Sequence, residues 1–135
     1  MKNLLYLFSI TLLLMVVNTG CYDRDIIDGK DGISLPMVTD LSATRSGTSA
    51  TVTWNIPSNI PDEFNRPLTI NIQVYDDKTR TQILEENSEV TSYTVTGLDA
   101  NKSYRIIVKL RGNFKEPEYG KSNDVYSLGQ TVTIN

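Results

Sequence analysis

Histidine is absent from the 135 residues, and cysteine occurs once. Without imidazole the chain has no His-based triad, no base that titrates near neutrality unaided and few routes to a transition-metal site. One thiol excludes an internal disulfide, a cysteine-rich zinc site and dithiol redox chemistry. Positive charge is also in short supply, with 13 Lys and Arg against 16 Asp and Glu and a net charge of −3. The electrostatic footprint of a nucleic-acid binder is therefore missing. Neither a P-loop nor a G-x-G-x-x-G fingerprint occurs. Helical amphipathicity is nowhere sustained, and no internal repeat or low-complexity tract interrupts the chain. What remains is ordinary globular composition, 39% hydrophobic, 8% aromatic and 21% charged, at a length that fits one small domain plus its N-terminal stretch.

That stretch has its own chemistry. Met1-Lys2-Asn3 leads into an apolar run over residues 4–17, broken only by Ser9 and Thr11. The run is shorter than the ~20 residues that span a bilayer, and small and polar residues follow it, as in a signal peptide over residues 1–20. The segment Val17-Asn18-Thr19-Gly20-Cys21 resembles a bacterial lipobox, although Asn18 stands where that motif usually has an aliphatic residue. The resemblance implies cleavage before Cys21, lipidation of the Cys21 thiol and residence as an outer-membrane lipoprotein of a Gram-negative bacterium. Two or more acyl chains anchor a protein stably where one does not. The other reading is an ordinary secretory signal followed by an incidental cysteine.

Residues 21–35 show no sustained period and carry Asp-Gly and Gly-Lys turn signals, so they read as an acidic tether. Asp23, Asp25, Asp28 and Asp31 invite a calcium hypothesis, but an EF-type loop from Asp23 puts Ile27 where a ligand belongs, Asp28 where glycine belongs and Ser34 where glutamate belongs. No metal site and no cofactor are expected. The acids after the cysteine resemble those of surface-exported lipoproteins of the Bacteroides group, which implies surface display.

From residue 36 the chain changes to short β-like runs separated by turn residues, the pattern of an all-β sandwich or barrel. Seven strands are expected, over residues 36–42, 50–56, 69–75, 81–86, 92–98, 103–111 and 126–134. Strict alternation turns Ala50, Val52, Trp54 and Ile56 to one face, and likewise Ile70, Ile72 and Val74, or Tyr104, Ile106, Val108 and Leu110. A lone tryptophan at Trp54, followed by Gly97-Leu98-Asp99-Ala100-Asn101-Lys102-Ser103-Tyr104, resembles a fibronectin type III domain. That resemblance covers residues 36–135. It implies a seven-stranded immunoglobulin-like sandwich in which Trp54, Leu98 and Tyr104 are core, with Tyr104 forming a tyrosine corner. The whole chain also resembles a small lipoprotein family of unknown function from Bacteroides-type bacteria.

No catalytic residues emerge. The acidic pairs Asp62-Glu63, Asp76-Asp77 and Glu85-Glu86 are sequence neighbours that a strand sends to opposite faces. A serine or threonine nucleophile finds neither histidine nor a Ser-x-x-Lys arrangement. Recognition surfaces are better candidates. The second-to-third strand connection carries Ile60 and Phe64, and the connection near the C-terminus carries Phe114 and Tyr119. The resemblance places both at one pole, so Phe64, Phe114 and Tyr119 form a candidate binding patch, or else Ile60, Phe64 and Phe114 cap the open end of the sandwich. Three functions fit: an accessory or spacer module that binds a neighbouring envelope protein, a small glycan-binding module, and a structural subunit that uses β-strand addition. All three place the membrane among the partners through Cys21. If the lipobox reading holds, Cys21→Ala abolishes incorporation of radiolabelled fatty acid and moves the protein from the membrane to the soluble fraction; membrane retention without label on the parent chain overturns it.

Overall fold

The computed structural model describes residues 32–135. The expected signal peptide, Cys21 and most of the expected tether lie outside the described residues. Strands β1 (Thr39–Ser46), β2 (Ser49–Asn55), β3 (Thr69–Asp76), β4 (Thr79–Glu86), β5 (Ser92–Thr96), β6 (Tyr104–Asn113), β7 (Asp124–Tyr126) and β8 (Gln130–Ile134) form two antiparallel sheets. One sheet runs β1-β2-β5; the other runs β4-β3-β6, with β7 and β8 both paired to β6.

Period-2 patterning explains this arrangement. Ala50, Val52 and Trp54 of β2 are buried while Thr51 and Thr53 are exposed. Ile70, Ile72 and Val74 of β3 and Tyr104, Ile106, Val108 and Leu110 of β6 close on them from the other sheet. Each fully buried aliphatic side chain contributes roughly 1.5 to 3 kcal/mol, so two such faces hold the sandwich without a disulfide. The core also takes in Leu35, and Ile33 packs against it. Packing therefore begins inside the segment expected as tether, because the chain lays these side chains over the end of the sandwich before β1 starts.

Among the described residues eight strands form where seven were expected, and the split falls in the last one. Arg111 pairs with Tyr126 in β7, whereas Val108 pairs with Gln130 in β8. Two β6 residues thus face three residues, 127–129, which makes a one-residue bulge. Ser127 sits in it, buried; its N–H donates to the Leu110 carbonyl at 2.8 Å, and its hydroxyl accepts from the Leu110 N–H at 2.9 Å. A side-chain oxygen thus does the work of the missing ladder carbonyl. Gly129 follows because a Cβ there would lie 2.5 Å from Cγ2 of Ile107.

Trp54, Leu98 and Tyr104 are buried in the core. The Tyr104 hydroxyl meets a donor, accepting from the Asp99 N–H at 2.9 Å. Arg45 of β1 completes the corner. Its guanidinium donates to the carbonyls of Gly47, Lys102 and Asp99 and lies 5.8 Å from the Tyr104 ring centroid. Buried hydroxyls thus satisfy backbone donors at two places. Tyr104→Phe and Ser127→Ala each leave a backbone N–H unpaired and should lower the free energy of unfolding by about 1 to 3 kcal/mol, read from urea midpoints; midpoints equal to that of the parent chain contradict the assignment.

Candidate functional site

The chain enters the sandwich at the pole that carries the β2–β3 and β6–β7 connections, since Thr39 at the start of β1 pairs with Asn55 at the end of β2. Three segments meet there. Residues 63–65 and 113–115 run antiparallel, with the Asn65 N–H donating to the Asn113 carbonyl and the Lys115 N–H to the Glu63 carbonyl, both at 2.8 Å. This short ladder brings Phe64 and Phe114 face to face, ring centroids 4.7 Å apart at an interplanar angle of 20°.

Both rings are buried, Phe64 at 1% and Phe114 at 2% exposure. The expectation of an exposed patch is therefore corrected for these two residues. Their rings cap the open end of the core, where leaving them in water would forfeit the burial of two large apolar faces. Gly112 makes the cap possible. A Cβ there would meet Phe64 Cδ1 at 2.8 Å, Leu68 at 3.1 Å and Leu35 at 3.2 Å, and the sequence carried no sign of this requirement.

Tyr119 has the opposite fate. It is fully exposed, and the structure does not bring it to the other two rings. Residues 118–121 form a β-turn in which the Lys121 N–H donates to the Glu118 carbonyl at 3.2 Å and Gly120 has φ +82°, the type II pattern. A Lys121–Glu118 ion pair at 3.5 Å spans the same turn. Asp62, Glu63, Lys115 and Glu116 line an open cleft of about 300 Å³. Gly32, Ile33, Ser34, Pro36, Asn59, Pro61 and Glu63 line a second of about 430 Å³. Among the described residues no group of three His, Cys, Asp or Glu is placed to hold a metal ion.

The β2–β3 connection is pinned from its far side by Glu89 in the β4–β5 loop. The Glu89 carboxylate accepts from Arg66 at 2.6 Å and from the Leu68 N–H at 2.8 Å, beside the cis Arg66–Pro67 peptide. Glu89 has φ +53°, which costs a non-glycine residue roughly 1 to 3 kcal/mol and persists because these contacts hold it. Burial by itself raises the Glu89 carboxyl, but the Arg66 hydrogen bond and the Leu68 N–H outweigh it and leave the group below its ordinary value of 4.5.

A second polar assembly covers the outer face of the larger sheet. Arg111 bridges Glu85 and Asp124, each at 3.2 Å, and lies 5.7 Å from the ring centroid of Tyr126. Its hydrogen bond to Asp124 raises the guanidinium above its ordinary value despite partial burial. Buried Asn71 donates to Glu85 at 3.0 Å, Gln73 to Asn71 at 2.9 Å and Tyr75 to Gln73 at 3.1 Å. Strand alternation sends these side chains outward, but their partners come from four strands and could not be matched from sequence.

A family model described as a domain of unknown function (DUF4945) matches residues 21–134. The chain belongs to this family. Among curated proteins none matches it. Among solved structures, the DUF4945 chain is similar to one described as a myokine structure, at TM-score 0.53 and 16% identity, covering 75% of this chain and 96% of that one. The FN3 domain of human collagen XX aligns at TM-score 0.51 and 17% identity, covering 76% and 94%. A computationally redesigned β-sandwich protein aligns at 0.50 and 24%, covering 74% and 88%. At such identities the likeness is one of fold. The DUF4945 chain has a fibronectin type III-like fold.

The Glu89 latch makes stability depend on pH in a defined direction. With the folded value depressed, its contribution is fully present above pH 4.5 and is lost as pH falls through the folded value. Glu89→Gln should therefore unfold at a lower temperature than the parent chain at pH 7, with the gap narrowing by pH 3; a gap independent of pH rules out the carboxylate as its source.

Proposed function

We propose that this DUF4945 chain is a non-enzymatic, lipid-anchored module of the cell envelope, tethered through Cys21, that engages a neighbouring envelope protein with the pole at which the chain enters. Tyr119 carries the reading. A ring held fully in solvent on a type II turn with an ion pair across it loses little conformational freedom on binding. Tyrosine is also among the residue types that dominate binding energy at protein interfaces. Asp62, Glu63, Glu116 and Glu118 outnumber Lys115 and Lys121 around the tip, which favours a partner with a basic rim. Cys21 precedes Leu35 of the core by 14 residues, so even a fully extended chain of ~50 Å keeps this pole near the membrane to which Cys21 is joined.

A specific observation favours a second reading. Tyr126, 38% exposed, lies beside Arg111, Asp124 and Asn113 on the open face of the larger sheet. An exposed ring with flanking hydrogen-bonding groups is the composition of a small glycan site. The two readings separate in one set of measurements. With a photoreactive phenylalanine at the exposed neighbouring position 116 of the lipoprotein in intact cells, one envelope protein should cross-link, and adding Tyr119→Ala should lower its recovery by about 30-fold, the effect of a single strong interface anchor. The thermal midpoint should not move, because the side chain touches nothing it could destabilise. Unchanged recovery refutes the tip as the site, and polysaccharide retardation in affinity gels that Tyr126→Ala abolishes puts the glycan reading in its place.

A further inference from the structure

A sandwich of two open sheets has four edges, and each exposes backbone N–H and C=O groups to any strand that can pair with them. Two of them cover one another, since β1 packs alongside β8. The other two, β4 and β5, lie on the opposite side. Strand β4 is guarded by a bulge opposite Val74 and Tyr75 and by Arg80, Glu85 and Glu86. Strand β5, Ser92-Tyr93-Thr94-Val95-Thr96, has no charge, no proline and no irregularity in its register with β2.

The ladder fixes which groups of β5 are on offer. The Trp54 N–H donates to the Thr91 carbonyl, so residues 91, 93 and 95 bond to β2 while Ser92, Thr94 and Thr96 turn their backbone groups outward. Two side-chain contacts agree with this parity. The Thr51 and Thr94 hydroxyls lie 3.3 Å apart, as in a closely spaced pair without ladder bonds, and Gln82 donates to the outward Thr96 carbonyl at 3.4 Å. The side chains of Ser92, Thr94 and Thr96 are exposed and continue rows of hydroxyls across the smaller sheet, Thr44-Thr51-Thr94 and Ser42-Thr53-Ser92.

We infer that two copies of this chain join edge to edge through β5, antiparallel about a two-fold axis at Thr94, so that the smaller sheets become one six-stranded sheet. Thr94 faces Thr94 of the partner subunit, and Ser92 faces Thr96 of the partner subunit. About six backbone hydrogen bonds form, two for each facing pair. Self-complementarity argues for a second copy. An antiparallel two-fold sets uncharged residues against one another along β5, with threonine hydroxyls side by side, a favourable cross-strand pair. An edge of five residues buries far less than the ~1,200 Å² of a stable interface, so pairing is weak in dilute solution and favoured where copies are concentrated. The inference stands on the strand edge alone and needs neither the tether nor the Tyr119 tip.

Covalent trapping in the full-length chain tests it. The two-fold holds the facing Thr94 Cα atoms ~5.5 Å apart, within the 4.4 to 6.8 Å range of a disulfide. Thr94→Cys should give a dimer on non-reducing gels at least about 10-fold more abundant than Thr51→Cys on the neighbouring strand, Thr131→Cys on β8 or the parent with Cys21 alone. In the Thr94→Cys background, Ser92→Glu with Thr96→Lys places unlike charges opposite each other and should keep the dimer. Ser92→Lys with Thr96→Lys places like charges opposite and should abolish it. Equal trapping at positions 94, 51 and 131, or equal trapping by the two charge variants, overturns the pairing.

Discussion

The stacked pair of Phe64 and Phe114 closes the end of the sandwich, and the rest of that pole is arranged around it. A two-sheet sandwich buries its inner faces but leaves its ends open to water, and here two long connections each deliver one ring to the same opening. Gly112 leaves room for the Phe64 ring, Leu35 and Leu68 fill in behind it, and Glu89 secures the connection that carries it. The left-handed backbone of Glu89 is tolerated because its carboxylate holds both Arg66 and the Leu68 N–H. With two of the three candidate rings committed to the core, Tyr119 remains as the ring offered to solvent at this pole.

The two outer faces of the sandwich have been given different chemistry by the same strand geometry. The larger sheet presents Arg105, Lys109, Arg111, Glu85 and Asp124 with two tyrosines, and the smaller presents serine and threonine, with Asn55 donating to Asp40 at one end. Preference for β-structure alone does not separate them, since both faces belong to regular strands. The polar network around Arg111 costs desolvation that charge pairing offsets, and its exposure keeps the net gain small. The hydroxyl face carries no such network and leads directly to the uncharged edge at β5.

Buried hydroxyls recur where regular pairing breaks down. Ser127 bridges the bulge that divides β7 from β8, and Tyr104 holds the crossing into β6. In each case the hydroxyl accepts from a backbone N–H that the ladder has left without a carbonyl. The indole Nε1 of Trp54 is the contrasting case, buried with no hydrogen-bond partner among the described residues.

The sequence by itself determined the fold class, because strict alternation over Ala50–Ile56, Ile70–Val74 and Tyr104–Leu110 is compatible with one buried face per strand and with little else. It also placed Trp54, Leu98 and Tyr104 in the core, and the corner could be anticipated because the Tyr104 hydroxyl meets the Asp99 N–H only five residues upstream. It could not reveal the bulge at Ser127, whose meaning depends on a Leu110 N–H seventeen residues away. Nor could it decide between cap and patch for Phe64 and Phe114, because an aromatic residue in a loop reads the same whether it turns in or out. Tertiary structure decided that question through Gly112 and the ladder between residues 63–65 and 113–115, and it decided which strand is left as an open edge. Alternation is a property of adjacent residues and is written locally; partners across sheets are chosen by the folded chain, where burial and hydrogen bonding are settled together.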